Sequence, residues 1–467
     1  MALTRMRRQS ASKGQAALVQ RMPLLKKLFW AYFLLLFFEG ALRKWLLPQY
    51  SGPLLLVRDP IAILIIWEAY RTHKWPRQWS ATIMTLTVGL LALCFLQVAV
   101  GENVWFIALF GLRSYLLPFP VAFIMGENLD SDDLRKFATW TLWLLFPLTA
   151  LEVLQYNSSP TSFWNAASYR GTEQLAYSAG HVRASATFSY VTGPMGYLPL
   201  AAAFIFYGLA TPKLEKRKLL WAASGALVLA IPLSGSRTIV FMLAAVLGCV
   251  GIAALFGVSQ FVNSLQLILG MLFVALLVSR LPVFSEASDT LVQRFTESAG
   301  VEGGTTQQSL LLRVVDPVTA TIEDSLSNNN WLGRGMGYGS SAIAQLVTGQ
   351  ATFLLSEVEF PRVVGEFGWP GGFAFMLFRW GLELIIIVRA IGRTRQREPL
   401  ALLLIPVTLN TLANGTLEQP TVQGFMVMSI AFSFAAIKKT RASVPAPLAP
   451  IRSRLLVPVR TIRVRSN

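Results

Sequence analysis

The chain has 467 residues, of which 54% are hydrophobic and 14% charged, with a mean hydropathy of +0.52. A water-soluble protein could not bury that much apolar surface behind a polar exterior, so the composition excludes a soluble globular enzyme. The formal charge of +17, from 41 Lys+Arg against 24 Asp+Glu, comes with no zinc pattern and no nucleic-acid motif, which excludes nucleic acid as the partner.

Residues 1–27 form a polar, basic N-terminal tail. A spanning helix needs about 20 mostly apolar residues. In chain order, the candidate spans are 28–47, 53–70, 81–100, 104–125, 137–156, 190–210, 218–234, 237–257, 262–282, 363–389, 399–415 and 421–437. They predict an all-α, polytopic membrane bundle of about twelve transmembrane helices over 28–437. The first run carries Glu39, Arg43 and Lys44 and no small-residue cleavage site, so it reads as an uncleaved span. Basic runs such as Lys213–Lys218 and Arg393–Arg397 fall in alternate loops, and a second basic tail fills 438–467. The positive-inside rule then places both termini in the cytoplasm and lets the tails grip anionic headgroups.

Two outer loops are long: 157–189, and 283–362 between the ninth and tenth spans. In the second, Leu311, Val315, Val318, Ile322 and Leu326 recur at helical spacing, with a kink expected at Asp316-Pro317. Short helices lying over the outer mouth of the bundle are therefore expected. Cys94 and Cys249 sit inside apolar runs and predict no disulfide framework. His73 and His181 are far apart, and neither a metal nor a cofactor is expected; His181 reads as an exposed loop histidine.

Ionisable groups in a membrane are costly, so each is a functional candidate. Glu39, Arg43, Lys44, Arg58, Asp59, Arg237, Arg280, Arg362 and Glu366 cluster at outer helix ends, and Arg113 lies halfway along the fourth span. They can hold an anionic ligand, or they can be snorkelling anchors and interhelical ion pairs. Arg379 and Glu383, four apart, are expected to pair with each other.

Three local patterns are sharper. Ser234-Gly-Ser-Arg-Thr238 is a tight turn ending in a cation, where Ser236 and Arg237 can hold a phosphate. Gly333-Arg-Gly-Met-Gly-Tyr-Gly-Ser340 has alternate glycines, at Gly335 and Gly337 among others, that permit close backbone approach; Arg334 adds a cation. It does not match a nucleotide-binding fingerprint. Glu357-Val-Glu359 and Arg362 then precede a Gly/Pro-rich helix start containing Glu366.

These patterns, in this order around a large outer loop, resemble the O-antigen ligase/polymerase family of bacterial envelope proteins. Ser234–Thr238 is similar to the family's Ser-Arg turn, Trp331–Gly339 to its Gly-x-Gly segment, and Glu366, Gly368 and Gly371 to its Glu-x-Gly-x-x-Gly helix start. Where the family usually carries a His-Asn pair, nine residues before that glutamate, this chain has Glu357-Val358. The segment Phe38–Trp45 lies outside the usual pattern and suggests a divergent branch, with exopolysaccharide as one product class.

The resemblance implies a glycosyltransferase of the bacterial inner membrane, with both long loops periplasmic. It would polymerise or ligate oligosaccharide carried on polyprenyl diphosphate, transferring it to a glycan or lipid acceptor, with polysaccharide assembly proteins as further partners. Arg237, with Arg113 and Arg334, would neutralise the diphosphate, and Glu357 or Glu359 would take the acceptor proton. Trp164, Tyr169, Trp331 and Tyr338 are candidates for sugar stacking or for an interfacial aromatic belt. The alternatives are a transporter or flippase of a lipid-linked or anionic glycan, and a non-catalytic assembly subunit.

Overall fold

The computed structural model describes residues 24–168, 181–211, 217–258, 282–301, 331–348 and 358–438, with short stretches at 177–178, 270, 280, 318–323 and 355–356. Helices dominate. They are α1 (24–41), α2 (Ser51–Leu54), α3 (Asp59–Arg71), α4 (Ser80–Ala99), α5 (Trp105–Leu116), α6 (Pro118–Asn128), α7 (Ser131–Tyr156), α8 (Thr192–Ala210), α9 (Arg217–Leu233), α10 (Arg237–Leu255), α11 (Pro282–Val301), α12 (Ser341–Thr348), α13 (Glu359–Arg395), α14 (Leu400–Thr408) and α15 (Pro420–Ile437). A two-residue hairpin pairs Tyr177–Ser178 with His181–Val182.

Among the described residues, seven helices are long and apolar enough to cross a membrane: Arg77–Ala99, Trp105–Asn128, Ser131–Tyr156, Thr192–Ala210, Arg237–Leu255, Glu359–Arg395 and Pro420–Ile437. The expected span at 262–282 lies almost wholly outside the described residues, as do both tails apart from 24–27 and Lys438. α8 is the central helix, with 89% of its spanning window buried, whereas α4 is peripheral at 22%. Around α8 the core is aromatic. Phe37 meets Tyr197 edge-on at 5.1 Å and Phe425 packs on Phe188 at 5.6 Å, while at the start of α4 Trp79 stacks on Phe123 of α6 at 4.6 Å.

Several expected spans are broken, and the breaks matter. The run 53–70 is a four-residue turn followed by α3, because Gly52, Pro53, Arg58, Asp59 and Pro60 interrupt the apolar sequence. Thirteen residues rise only about 20 Å, short of a hydrocarbon core of about 30 Å. The fourth span, Trp105–Asn128, only bends at Leu117, where Pro118 cannot donate back into the preceding turn. α14 stops at Thr408, passes through a π-helical turn (Leu409–Ala413), and leaves 414–419 as irregular chain with Gly415, Leu417 and Glu418 buried. α13 kinks at Gly368, whose φ of 76° and ψ of 165° are open essentially to glycine alone.

Helix ends gather at two faces. On one, Asp130 and Asp133 form a capping box at the start of α7, and Lys26 bonds them at 2.8 and 2.6 Å. Lys438 donates to the Glu127 and Leu129 carbonyls at the end of α6. The opposite face carries the described chain at 157–168, 181–189, 331–340 and 414–419. There α11 packs on the ends of α7 and α9: Tyr156 Oη and Thr290 Oγ1 lie 3.1 Å apart. His181 is not a free loop residue. It stacks on Tyr156 at 4.4 Å, with Nε2 3.3 Å from Glu286 Oε1. Of the expected apolar stripe, Leu311, Val315 and Leu326 lie outside the described residues, while Val318 and Ile322 are helical.

Candidate functional site

Glu366 is the node of the glycine-rich segment. Its Oε2 accepts the Tyr115 hydroxyl at 2.6 Å, and its Oε1 accepts the Gly339 N–H at 2.6 Å. Its carbonyl accepts the Gly335 N–H at 3.1 Å and Gln97 Nε2 at 2.7 Å. Gln97 also donates to the Leu332 carbonyl at 2.6 Å and accepts the Met336 N–H at 3.0 Å, while Asn103 Nδ2 donates to the Met336 carbonyl at 2.9 Å. Residues 331–340 are thus stitched to α4, α5 and α13.

The alternate glycines serve this stitching. Gly337, at φ +97°, would place a Cβ 2.6 Å from the Ile107 carbonyl, and a Cβ on Gly111 would strike the Gly337 backbone. Gly335, at φ +106°, faces Asn103 at 2.5 Å, and Gly368 abuts the Trp331 carbonyl. The expectation of backbone approach to a ligand is replaced by backbone approach to neighbouring protein. Arg334 donates its N–H to the Gly365 carbonyl at 2.8 Å and leaves its side chain exposed.

Glu359 is buried, and both its oxygens are taken: Oε2 pairs with Arg362 and Oε1 with Arg379. Each oxygen of this carboxylate is thereby engaged in an ion pair inside the protein. Arg379 also donates to the Leu412 and Gly415 carbonyls, both at 2.7 Å, so it braces the broken end of α14. The expected Arg379–Glu383 pair does not form. Glu383 instead accepts the Thr408 hydroxyl at 2.8 Å, because the kinked α13 turns Arg379 toward Glu359.

The truncated α3 carries two charges into the bundle. Asp59 pairs with Arg113 at 3.0 Å, and Arg113 lies over the Phe110 ring at 4.1 Å. Arg58 donates to Glu39 Oε2 at 2.9 Å and to the Pro420 carbonyl. Irregular backbone inside a membrane bundle is tolerated where protein or a cavity satisfies it. Here Arg58, at the end of the irregular chain 55–58, bonds the Pro420 carbonyl that follows the irregular chain 414–419.

Glu418 lies on the second of these stretches, and sequence reasoning passed over it. It is buried, and neither carboxylate oxygen has a hydrogen-bond partner. The charged groups that act on it are Glu366, Arg362 and Glu359 from α13 and Arg113 from α5. Burial, reinforced by Glu366, pushes its carboxyl up to about 8 against the pull of Arg362 and Arg113. The two cations that act on it hold spare donors: Arg113 Nε and Arg362 Nε are buried without partners. One signal could have found it. Glu418 is the only acidic residue in the last 69 positions, residues 399–467.

The Ser234–Thr238 turn is a separate element of the same face. Gly235 takes φ +53°, Ser236 caps α10 with its hydroxyl buried and unbonded, and Arg237 follows half-buried. The turn is held by the strap 181–189, through Arg183 Nε to the Ser234 carbonyl at 3.3 Å and the Ala184 N–H to the Leu233 carbonyl at 3.4 Å. The same strap receives Lys44, on Ser185 Oγ at 2.7 Å, and Arg43, on Ser189 Oγ at 2.9 Å. Glu357 and Tyr169 lie outside the described residues, and Arg280 is exposed. Trp331 pairs with Trp369 at 4.8 Å, Trp164 is exposed and Tyr338 is half-buried.

The structure therefore brings Arg362, Glu359, Glu366, Gly335 and Gly337 together, ties Arg113 electrostatically to that group through Glu418, and sets Ser236 and Arg237 on the turn. Comparison with protein-family models and with curated proteins finds no match for this chain.

Proposed function

We propose that the protein is a membrane glycosyltransferase that polymerises or ligates a polyprenyl-diphosphate-linked oligosaccharide at the face carrying Glu366. One observation carries this reading. The buried Arg362 and the half-buried Arg113 each keep an unpartnered Nε–H within electrostatic reach of a buried carboxylate that has no partner. Guanidinium donors in a low-dielectric layer suit a diphosphate, and an unbonded carboxylate with a raised pKa suits proton abstraction.

In the proposed step, the acceptor hydroxyl gives its proton to a carboxylate and its oxygen bonds to the anomeric carbon. The bond from that carbon to the diphosphate breaks, and the electron pair leaves on a diphosphate oxygen. Arg113 and Arg362, with Arg237 from the turn, neutralise the charge that develops there. Glu418 joins Glu357 as the proton acceptor, while Glu359 and Glu366 hold the scaffold. Arg334 and the exposed tryptophans face the sugar, and no nucleotide or metal is needed for this chemistry.

Reconstitution with a polyprenyl-diphosphate-linked oligosaccharide tests the reading: longer glycans and released lipid diphosphate are expected. Arg237→Ala should abolish product while lipid-linked precursor accumulates, and normal product from it would remove Arg237 from diphosphate binding.

A second reading, transport of a lipid-linked anionic glycan, is favoured by the broken helices, since transporters place substrate groups at interrupted helices. Movement of labelled precursor across the vesicle membrane with no change in glycan length would select it.

A further inference from the structure

The opposite face of the bundle holds a cavity of about 90 Å³ between α7, α8, α15 and the α13–α14 connection. Arg135, Arg393 and Lys438 line it, with Glu398 as the one acid on its wall among the described residues. Leu134, Phe204 and Leu400 form an apolar floor. Arg393 is only partly satisfied: Nη1 donates to Gln396 Oε1 at 2.7 Å and Nη2 to the Lys438 carbonyl at 3.2 Å, while Nε is buried with no partner. Burial lowers the pKa of Lys438 despite the nearby Glu127 and Asp130. A further negative charge would relieve that penalty.

Basic residues that merely orient a membrane protein need no cavity and no inward-facing N–H. Cations over an apolar floor, at helix ends, match the boundary between a phospholipid headgroup and its glycerol. We propose that this cavity binds the phosphate of an anionic phospholipid from the leaflet that meets the Lys26 face. A free phosphate ion shares the headgroup chemistry but gains nothing from the floor. This inference is independent of the glycosyl-transfer reading.

Native mass spectrometry of the delipidated full chain, titrated with phosphatidylglycerol, phosphatidylcholine or inorganic phosphate, tests it. Phosphatidylglycerol should bind at least about fivefold tighter than phosphatidylcholine. Arg393→Gln should weaken it about fivefold and Arg135→Gln/Arg393→Gln about 25-fold, at roughly one such factor per cation. Arg397→Gln, exposed on the same face, should change nothing. Ala435→Phe fills the cavity without altering charge and should also weaken binding, which keeps the test decisive if the double variant fails to fold. Unchanged binding in Ala435→Phe and Arg393→Gln would overturn the site. Displacement of phosphatidylglycerol by millimolar inorganic phosphate would overturn the lipid as its occupant.

Discussion

Glu366 and Glu418 are both buried carboxylates in one polar layer, and they are finished differently. Glu366 has a hydroxyl on one oxygen and a backbone N–H on the other, and its carbonyl takes two more donors. Glu418 has a partner on neither oxygen. A buried polar network that is fully bonded rigidifies the fold, whereas an unbonded buried charge carries a desolvation cost that only function or protonation explains. The contrast separates a carboxylate that ties its neighbours together from one that bonds none of them.

The largest expected effects fall on the bonded side. Gly368→Ala forces a side chain into an orientation open to glycine and against the Trp331 carbonyl, costing about 3 kcal/mol or more. Glu366→Ala strands the Tyr115 hydroxyl and the Gly339 N–H and should cost about 3–5 kcal/mol. Both should show as loss of monodisperse protein or lowered thermal midpoints in detergent, and wild-type midpoints would erase the contrast. Glu418→Gln should behave in the opposite way. It should leave the midpoint unchanged or raised while cutting glycan elongation about 10²–10⁴-fold. Full activity in this variant would remove Glu418 from proton transfer, and a parallel Glu357→Gln series would then identify the base.

The dependence on pH sharpens the same contrast. In the unfolded chain the Glu418 carboxyl ionises near 4.5, but in the folded protein it keeps its proton to about 8. Between those values the unfolded state binds fewer protons, so stability falls as pH rises through that window. Glu418→Gln should flatten this part of the stability profile, and activity that needs the ionised carboxylate should rise toward pH 8. An identical stability profile in the variant would show that Glu418 finds a partner. The smallest effect lies on the opposite face, where Asp130→Ala removes a helix cap and a bridge to Lys26 for about 1 kcal/mol, measurable as a small drop in thermal midpoint.

Much of the bundle is legible in the sequence because a membrane asks for long apolar runs. Helices α4, α7, α8, α10, α13 and α15 lie close to where those runs predict them. Glu366, Gly368 and the glycines of 333–339 also stand out by pattern. Their purpose does not, because glycine spacing is the same whether the backbone approaches a ligand or the Ile107 carbonyl. The short α3 and α14 read as full spans in the sequence, since an apolar count registers Pro53 and Pro406 only weakly.

The sequence by itself determined that the chain is a basic, many-helix membrane protein, because helix formation and burial in lipid depend on contiguous residues and their hydropathy. Only the tertiary structure decided which ionic groups meet. Tyr115 reaches Glu366 across 251 positions, Arg379 turns to Glu359 instead of its helical neighbour Glu383, and Glu418 enters the layer on irregular chain. Such pairings follow from where helices break and cross, a property of the packed bundle that no local run of residues encodes.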